Sequence, residues 1–259
     1  MNTATERAIA FMWANYGGEL SLVDIAGSAW LSRFHFSRTF RDATGVSPGR
    51  FLSAVRIYQA KRMLVATSAT VTDISLAVGY NSLGSFSNHF TDSVGISPGR
   101  FRRMSEDGVY TLPEDAPRRS ALRGSVAGAV DLPPGCASVR IYLGAFRTPI
   151  VQGRPISSAV MAAESDRLTH YRLTDVPAGE WFVRAVAVAN STDPEPWTSR
   201  LSLVGGQPAA VTVTTGTVIQ SGICLRPRCR VDLPILLALP DLDEIMLPLP
   251  DLRAESILA

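Results

Sequence analysis

The sequence predicts a multidomain chain in which an N-terminal all-α domain precedes an all-β sandwich domain. A seven-residue phrase occurs twice in the first half, and helical periodicity surrounds both copies. Beyond about residue 120, short β-rich runs separated by Pro and Gly replace that periodicity. We place the helical domain at 1–106, a polar, proline-containing linker at 107–120 and the β domain at 121–259.

The bulk composition is that of a globular protein, with 46% hydrophobic and 19% charged residues. No apolar stretch is long enough to span a bilayer, and the N-terminus lacks a basic region followed by an apolar run. We therefore expect a cytoplasmic protein without a membrane partner. The net charge is +2, but residues 1–106 carry +4 and the remainder −2, which weakly favours a polyanionic partner for the first half.

The repeated phrase reads GVSPGRF at 45–51 and GISPGRF at 95–101. Gly45 and Gly95 stand where a helix should end, because glycine adopts the left-handed conformation of a helix C-terminus without strain. The Ser-Pro pair that follows each glycine is typical of the start of the next helix. Two copies of one helical unit are therefore predicted, 50 residues apart.

Each copy is preceded by a short helix, a tight turn and a second helix. The second helix carries two phenylalanines at i and i+4, on one face: Phe36 and Phe40 in the first copy, Phe86 and Phe90 in the second. This order of elements is the helix-turn-helix, in which the second helix enters the major groove of DNA. The all-α domain is thus predicted to contain two helix-turn-helix subdomains.

A long helix should join the two units, from about Pro48 to Thr67. At about 1.5 Å per residue it spans roughly 25–30 Å. Major grooves on one face of a duplex lie about 34 Å apart, so two recognition helices could reach successive grooves. Its predicted buried positions are Leu52, Val55, Ile57, Ala60, Met63 and Leu64.

Residues 5–104 resemble the DNA-binding domain of the AraC/XylS family of bacterial transcription regulators. The resemblance rests on FHFSRTFRDATGVSPGRFL and AKRMLVAT, followed by TVTDISLAVGYNSLGSFSNHFTDSVGISPGRFRR. It implies two helix-turn-helix subdomains bridged by a long helix, with double-stranded DNA as partner and no metal or other cofactor. The usual family order, with an effector domain in front, is reversed, and we expect no such domain ahead of residue 5.

Carried over by position, the recognition helices begin at about Ser32 and Ser82. Arg38 is the strongest candidate for base readout, because a guanidinium can bridge O6 and N7 of guanine. Asn88 stands where the family usually carries Arg, which leaves an adenine preference open. The predicted groove-facing residues are Arg33, Phe34, Ser37 and Arg38 in the first helix, and Leu83, Gly84, Ser85, Ser87 and Asn88 in the second.

Four further arginines are candidates for phosphate contacts. For Arg50 and Arg100, phosphate contact and simple solvation are equally compatible with the sequence, whereas the clustering of Arg102 and Arg103 favours phosphate. Trp30 occupies a turn position where the family usually has Gly. Since a bulky residue at positive φ is strained, we expect the first turn to differ in shape and to shift the first recognition helix.

The second half predicts six or seven short strands and hence a β-sandwich. The phrase YRLTDVPAGEWFVRAVAV at 171–188 is similar to carboxypeptidase-regulatory-like or transthyretin-like modules, and there the resemblance implies a hairpin through Pro-Ala-Gly. The proline-rich segment from Val231 predicts either an extended strip over the sandwich, which we favour, or an exposed strip that meets a partner.

Catalysis would depend on His170, the single histidine of this half, and no nucleophile motif accompanies it. Cys224 and Cys229 are close enough in sequence for a disulfide or a shared metal, but their spacing supports zinc only weakly, and we favour two ordinary strand-end cysteines.

The sequence therefore predicts a non-enzymatic, sequence-specific DNA-binding transcription regulator. The β domain would serve protein contact, dimerisation or ligand sensing, with RNA polymerase or a second copy of the chain as candidate partners and a small-molecule effector left open. The alternative is a protein- or carbohydrate-interaction module whose helical domain binds DNA without sequence specificity.

Overall fold

The computed structural model describes residues 3–107, 122–134, 136–164, 168–191, 200–229 and 231–238. Seven helices precede ten strands within these ranges, so the predicted order of an α domain followed by a β domain is confirmed. No helix among the described residues is long and apolar enough to cross a membrane. The helices are α1 (Thr3–Asn15), α2 (Leu22–Ser28), α3 (Arg33–Thr44), α4 (Pro48–Ala66), α5 (Val71–Ala77), α6 (Leu83–Val94) and α7 (Pro98–Asp107).

The two helical units begin and end with the same local devices. α2 and α5 each start with a capping box, formed by Ser21 with Asp24 and by Thr70 with Asp73. α3 and α6 each end at a left-handed glycine, with φ of 76° at Gly45 and 93° at Gly95. The predicted role of the repeated phrase as a helix stop followed by a helix start is therefore confirmed.

Each unit is held together by three packed phenylalanine rings. In the first unit Phe36, Phe40 and Phe51 have ring centroids 5.4 and 5.5 Å apart. The second unit repeats this with centroids 5.7 and 5.8 Å apart for Phe86, Phe90 and Phe101. All six rings are at most 1% exposed. The i, i+4 phenylalanines together with the Phe of the repeated phrase thus form the core of both units.

The connecting helix α4 has 19 residues and is about 28 Å long at about 1.5 Å per residue. Because α4 contacts both units, buried residues occur on several of its sides. Only a narrow stripe of polar residues is left along the helix. Of the six predicted core positions, five are buried and Met63 is partly buried. Lys61, the single lysine of the chain, is also buried and was not expected to be.

The β domain consists of two sheets packed face to face. The strands are β1 (Arg123–Asp131), β2 (Cys136–Phe146), β3 (Ser157–Ala163), β4 (Thr169–Pro177), β5 (Gly179–Ser191), β6 (Arg200–Gly206), β7 (Val211–Val213), β8 (Val218–Gln220), β9 (Ile223–Cys224) and β10 (Arg226–Pro227). In the first sheet the order is β4-β1-β8, with β9 also paired to β1; in the second it is β10-β6-β5-β2-β3, with β7 also paired to β5. Apolar residues from both sheets meet in one interior cluster, as in a sandwich.

The hairpin expected through Pro-Ala-Gly is wrong. β4 pairs with β1 in the first sheet, whereas β5 pairs with β2 and β6 in the second. The Pro-Ala-Gly turn is therefore a corner at which the chain passes from one sheet to the other. Alternation of apolar residues predicts strands and their buried faces, but it does not specify which strands pair.

The β domain contacts the helical domain through the loop between β2 and β3. The Gly153 backbone N–H donates a hydrogen bond of 2.6 Å to the Ser93 carbonyl oxygen, near the end of α6. Pro149 lies against Gly45, where an added Cβ would be 3.3 Å from the proline Cγ. The same loop thus contacts the C-terminal ends of both α3 and α6.

A second contact is made by residues 231–238, which we call the docking segment. The Ala238 backbone N–H donates to the Val94 carbonyl oxygen at 3.2 Å. The buried Lys61 ammonium donates to the Leu237 carbonyl oxygen at 2.9 Å. Alternate side chains of the segment enter either the helical core (Leu236 and Ala238) or a cluster on the outer face of the second sheet (Ile235 and Leu237). The favoured expectation of an extended strip over the sandwich is met for these residues, and 239–259 lies outside the described residues.

Candidate nucleic-acid interface

The first turns of α3 form an exposed basic and aromatic surface. Ser32 is the N-cap residue, although its side chain makes no capping hydrogen bond. The Arg33 guanidinium lies 4.7 Å from the centroid of the Phe34 ring, and that ring is 75% exposed. Ser37 is half-buried, and its hydroxyl donates to the Arg33 carbonyl oxygen at 2.8 Å. Hence Arg33 and Phe34 present their side chains outward, whereas the Ser37 hydroxyl already has an acceptor within the helix.

Arg38 is a highly exposed charged group of this surface and forms a weak ion pair. Its Nε atom lies 4.0 Å from the Asp42 Oδ2 atom, one helical turn away, and the two side chains are 87% and 72% exposed. An exposed i, i+4 pair of this kind contributes only a few tenths of a kcal/mol, about 0.3–0.5. The guanidinium can therefore leave the carboxylate for a stronger bidentate acceptor with little loss of helix stability.

The corresponding surface of α6 carries no charged side chain over its first two turns. Leu83, Gly84, Ser85 and Asn88 are exposed, and Ser87 is half-buried. The Ser82 hydroxyl caps the helix by accepting from the Ser85 backbone N–H at 3.1 Å. This helix start can approach another surface closely because Gly84 and Ser85 are small, but it offers amide and hydroxyl groups in place of guanidinium.

Trp30 does not change the left-handed backbone of the turn before α3, although this turn is one residue shorter than its counterpart, in which Asn81 precedes the N-cap. Trp30 has φ of 59°, the left-handed conformation that Gly79 adopts at the matching position with φ of 85°. The turn-closing hydrogen bonds also match, from Leu31 N–H to Ala26 O and from Tyr80 N–H to Ser75 O. Trp30 is 82% exposed, so its side chain extends into solvent and only the backbone strain remains.

Of the four arginines considered for phosphate contact, Arg102 also has a structural role. Its guanidinium donates to the Leu64 carbonyl oxygen at 3.2 Å and to the Ala69 carbonyl oxygen at 2.6 Å. It therefore ties α7 to the end of α4, and this structural role stands beside the phosphate contact of Arg102, which stays a prediction. The side chains of Arg50, Arg100 and Arg103 are exposed.

The first unit uses a comparable arginine. Arg56 of α4 donates to the carbonyl oxygens of Tyr16 and Gly18, at 2.8 Å each. In both units, then, an arginine from the helix after the recognition helix satisfies carbonyl groups in front of the helix-turn-helix. Arg56 was missed from the sequence, and Arg102 was considered only for phosphate contact, because the two arginines are not aligned in the repeat; they are offset by one helical turn.

A half-buried polar cluster lies behind the second recognition helix. The Tyr80 hydroxyl is 2.5 Å from Nδ1 of His89, and the Ser53 hydroxyl is 3.3 Å from the same nitrogen. Burial lowers the pKa of His89, opposed by the charge of Asp92. Thr39 occupies the matching position of α3. In the aligned repeat, the difference between Thr39 and His89 is the sequence feature that indicates this cluster.

The groups considered for other chemistry are not assembled into a site. Among the described residues, no three His, Cys, Asp or Glu side chains are grouped so that they could hold a metal ion. Cys224 and Cys229 are exposed and form no disulfide with each other, and Cys136 is buried. His170 is exposed on β4.

Comparison with known proteins identifies the helical half. A double helix-turn-helix with an exposed basic recognition helix defines a DNA-binding class of domain. Residues 25–104, about a third of the chain, match the family model described as a helix-turn-helix domain.

Two curated relatives match the same region. The lactose operon transcription activator of Staphylococcus xylosus is 34% identical over 80 residues, which are 31% of this chain and 29% of that protein. An uncharacterized HTH-type transcriptional regulator of Haemophilus influenzae is 42% identical over 62 residues, 24% of this chain and 21% of that protein. The chain thus spans less than a third of the length of these relatives.

Similar solved structures likewise cover the helical half. The DNA-binding domain of AdpA, in complex with a target DNA, is 25% identical with a TM-score of 0.40, and covers 41% of this chain and 96% of its own. An AraC-type transcriptional regulator from Chromobacterium violaceum is 30% identical with a TM-score of 0.38, and covers 39% of this chain and 90% of its own.

Proposed function

We propose that this chain is a sequence-specific DNA-binding transcription regulator that inserts α3 and α6 into successive major grooves. The observation that carries the proposal is the doubled unit itself. Residues 32–40 and 82–90 share the same order of exposed, half-buried and buried positions, so each unit presents the same face of its second helix. The match of residues 25–104 to the helix-turn-helix family model supports the same conclusion.

The length of α4 supports binding in two grooves. Its 19 residues give a helix of about 28 Å, comparable with the roughly 34 Å between major grooves on one face of a duplex. Because α4 packs into the cores of both units, it fixes their separation. A rigid separation predicts a bipartite target site with constant spacing.

The two recognition helices are proposed to contribute unequally. α3 presents Arg33, Arg38 and the Phe34 ring, which suit guanine edges and thymine methyl groups. α6 presents Asn88 and small residues, which suit close approach, shape readout and at most one adenine contact. We therefore expect strong base preference in one block of the site and weak preference in the other.

The docked β domain is compatible with DNA binding. Its hydrogen bonds with the helical domain involve Ser93 and Val94 at the end of α6, and Tyr58 and Lys61 in α4. Recognition helices read bases with their N-terminal turns, at the opposite end of α6 from these contacts. RNA polymerase and a second copy of the chain remain proposed partners of the β domain.

The test is selection of the whole protein against a random duplex library, followed by titration of the enriched sites at several salt concentrations. We expect two enriched blocks about 10 bp apart, one of them sharply defined. Affinity for the enriched site should exceed affinity for random duplex by about 1,000-fold or more. Equal affinities for the two duplexes would contradict the proposal.

Three alanine variants assign roles within that site. Arg38→Ala should lose about 1–3 kcal/mol of binding free energy and relax base preference in the strong block alone. Asn88→Ala should lose less, at a position in the weak block. Arg103→Ala is the control for phosphate contact: binding should weaken equally for all sequences, with the salt slope reduced by about 1. If Arg38→Ala weakened all sequences equally, base readout by Arg38 would be wrong.

A second candidate is favoured by the uncharged start of α6. In that case the helical domain binds DNA without sequence preference, and the β domain provides protein or carbohydrate recognition. Selection would then enrich no sequence, while duplex binding would persist at low salt and fall steeply as salt increases.

A further inference from the structure

A recess of about 380 Å³ lies between the end of the first recognition helix and the outer face of the second sheet. Ala43 and Thr44 of α3 line one side, and Val186 and Val204 line the sheet side. The docking segment contributes Ile235. Pockets for small ligands typically have about 300–1,000 Å³, so this recess is large enough for one.

One cation in the recess, Arg184, has no anionic partner among the residues that the structure describes. The Arg184 side chain is half-buried, and Nε donates to the Pro149 carbonyl oxygen at 3.1 Å. Nη1 donates to the carbonyl oxygens of Val183 and Gln207. Nη2 makes no hydrogen bond with any described residue, and no carboxylate within the described ranges pairs with this guanidinium.

The environment of Arg184 is unfavourable for an uncompensated charge. Burial lowers the pKa of Arg184 to about 10. The carbonyl groups of Pro149, Val183 and Gln207 and the Phe182 ring, whose centroid is 5.3 Å from the guanidinium carbon, offset part of this desolvation. A carboxylate would offset more, through a charge-assisted hydrogen bond. Arg226, the other guanidinium in the recess, is already paired with Asp232. An incoming anion would therefore be held by Arg184.

The rest of the lining determines what such an anion should look like. Pro149, Val186, Val204, Val231 and Ile235 give the recess an apolar wall on the side of the docking segment and the sheet. A small inorganic anion would leave this wall in contact with water, whereas an apolar tail would cover it. The lining thus matches one carboxylate attached to a hydrocarbon body.

We propose that the recess binds a small amphipathic monocarboxylate, with the carboxylate on Arg184 and the apolar part against the docking segment and the second sheet. The occupant touches both domains, since the last turn of α3 forms part of the wall. The effector role of the bound monocarboxylate rests on the proposed DNA-binding function. The binding of the monocarboxylate in the recess does not. Among the roles expected for the β domain, binding of such a monocarboxylate corresponds to ligand sensing.

Isothermal titration calorimetry of the full chain with octanoate, below its micellar concentration and without DNA, tests the proposal. One octanoate should bind per chain. Octanamide, which has the same shape without the charge, should bind about 10-fold more weakly or worse, as expected for loss of a charge-assisted hydrogen bond. No heat of binding with octanoate, or equal binding of both compounds, would overturn the proposal.

Variants locate the bound octanoate. Arg184→Gln should weaken octanoate binding about 10-fold or more. Because this change also removes hydrogen bonds to three carbonyl groups, Ala43→Glu provides an independent test: Ala43 is exposed on α3, and a carboxylate there should repel octanoate without disturbing the core. Ala10→Glu, on an exposed position of α1, is the matched control and should leave binding unchanged. Unchanged binding in Ala43→Glu would place octanoate elsewhere and overturn the assignment.

This titration and the duplex selection fail independently. Octanoate binding that requires Arg184, without any enriched duplex, would retain the site and remove the transcriptional role. An enriched duplex without octanoate binding would retain the transcriptional role and remove the ligand site.

Discussion

The two helix-turn-helix units have the same scaffold and different surfaces. Both begin with a capping box, end at a left-handed glycine and enclose three phenylalanine rings. Their recognition helices differ in charge, because α3 exposes Arg33 and Arg38 where α6 exposes Leu83 and Asn88. Residues that determine the backbone are thus repeated, while residues that would meet a ligand have diverged. A repeat in sequence therefore identifies the architecture, and its mismatches identify where the two units differ in function.

The turns before the recognition helices show a second difference. Gly79 and Trp30 have the same left-handed backbone, but their surroundings are unlike. A Cβ added at Gly79 would lie 3.0 Å from the Tyr16 carbonyl oxygen and from the Arg56 guanidinium. The Trp30 side chain extends into solvent. Glycine is therefore needed for both conformation and space in the second unit, whereas the first unit tolerates a large side chain at the cost of backbone strain.

The largest expected effect comes from the shared core. Phe40→Ala and Phe90→Ala should each destabilise the protein by about 3–5 kcal/mol, since both rings are fully buried and neither cavity can collapse easily. Urea unfolding followed by circular dichroism measures both. Phe34→Ala, which removes an exposed ring of the same size, should change stability by less than about 0.5 kcal/mol. A loss in one core variant much smaller than in the other would show that the two scaffolds are not equivalent.

A smaller effect should separate the two turns. Gly79→Ala should cost about 1–3 kcal/mol, because alanine at positive φ is strained and its Cβ meets Tyr16 and Arg56. Trp30→Gly should instead stabilise by less than about 1 kcal/mol, because relief of strain is partly offset by the greater freedom of glycine in the unfolded chain. Thermal or urea unfolding measures both changes. If Gly79→Ala destabilised the protein by about as much as Trp30→Gly stabilised it, backbone strain without crowding would account for the difference between the turns.

The smallest effect is a pH dependence confined to the second unit. Burial lowers the pKa of His89 in the folded protein below its usual value of 6.5. As pH falls below that value, the unfolded chain binds a proton that the folded protein resists, so this contribution to stability is present above pH 6.5 and is lost below it.

His89→Thr, which installs the residue found at the matching position of α3, should remove that contribution. Unfolding free energies measured from just above pH 6.5 downward, for the parent and the variant, would show a steeper fall in the parent. His35→Thr is the control, because His35 is exposed on α3. Parallel pH profiles for the parent and His89→Thr would contradict the assignment.

Much of the helical half was predictable from local sequence. The starts of α3 and α6, the αL glycines and the buried phenylalanines follow from residue types at fixed spacing, and such signals act within one or two helical turns. The candidate site was predicted less completely. Exposure of Arg33, Phe34 and Arg38 agrees with the prediction, whereas Arg102 binds carbonyl groups more than 30 residues away in sequence. No local pattern encodes such a contact.

The β half shows the limit more clearly. The phrase at 171–188 correctly predicted strands that correspond to parts of β4 and β5, but the hairpin expected between them was wrong, because the two strands lie in different sheets. Which strands pair depends on the burial of both sheets at once, and this is a property of the complete domain.

The sequence by itself determined two helical units, their order before a β domain, and the contrast between a charged and an uncharged recognition helix. Each depends on interactions between residues close in the chain or on composition alone. Tertiary structure decided that Trp30 keeps the left-handed backbone of the turn, that Lys61 is buried against the Leu237 carbonyl, and that Arg184 lies beside the end of α3. These features arise when distant segments exclude water from a common interface, because only then does a buried polar group select one partner over bulk solvent.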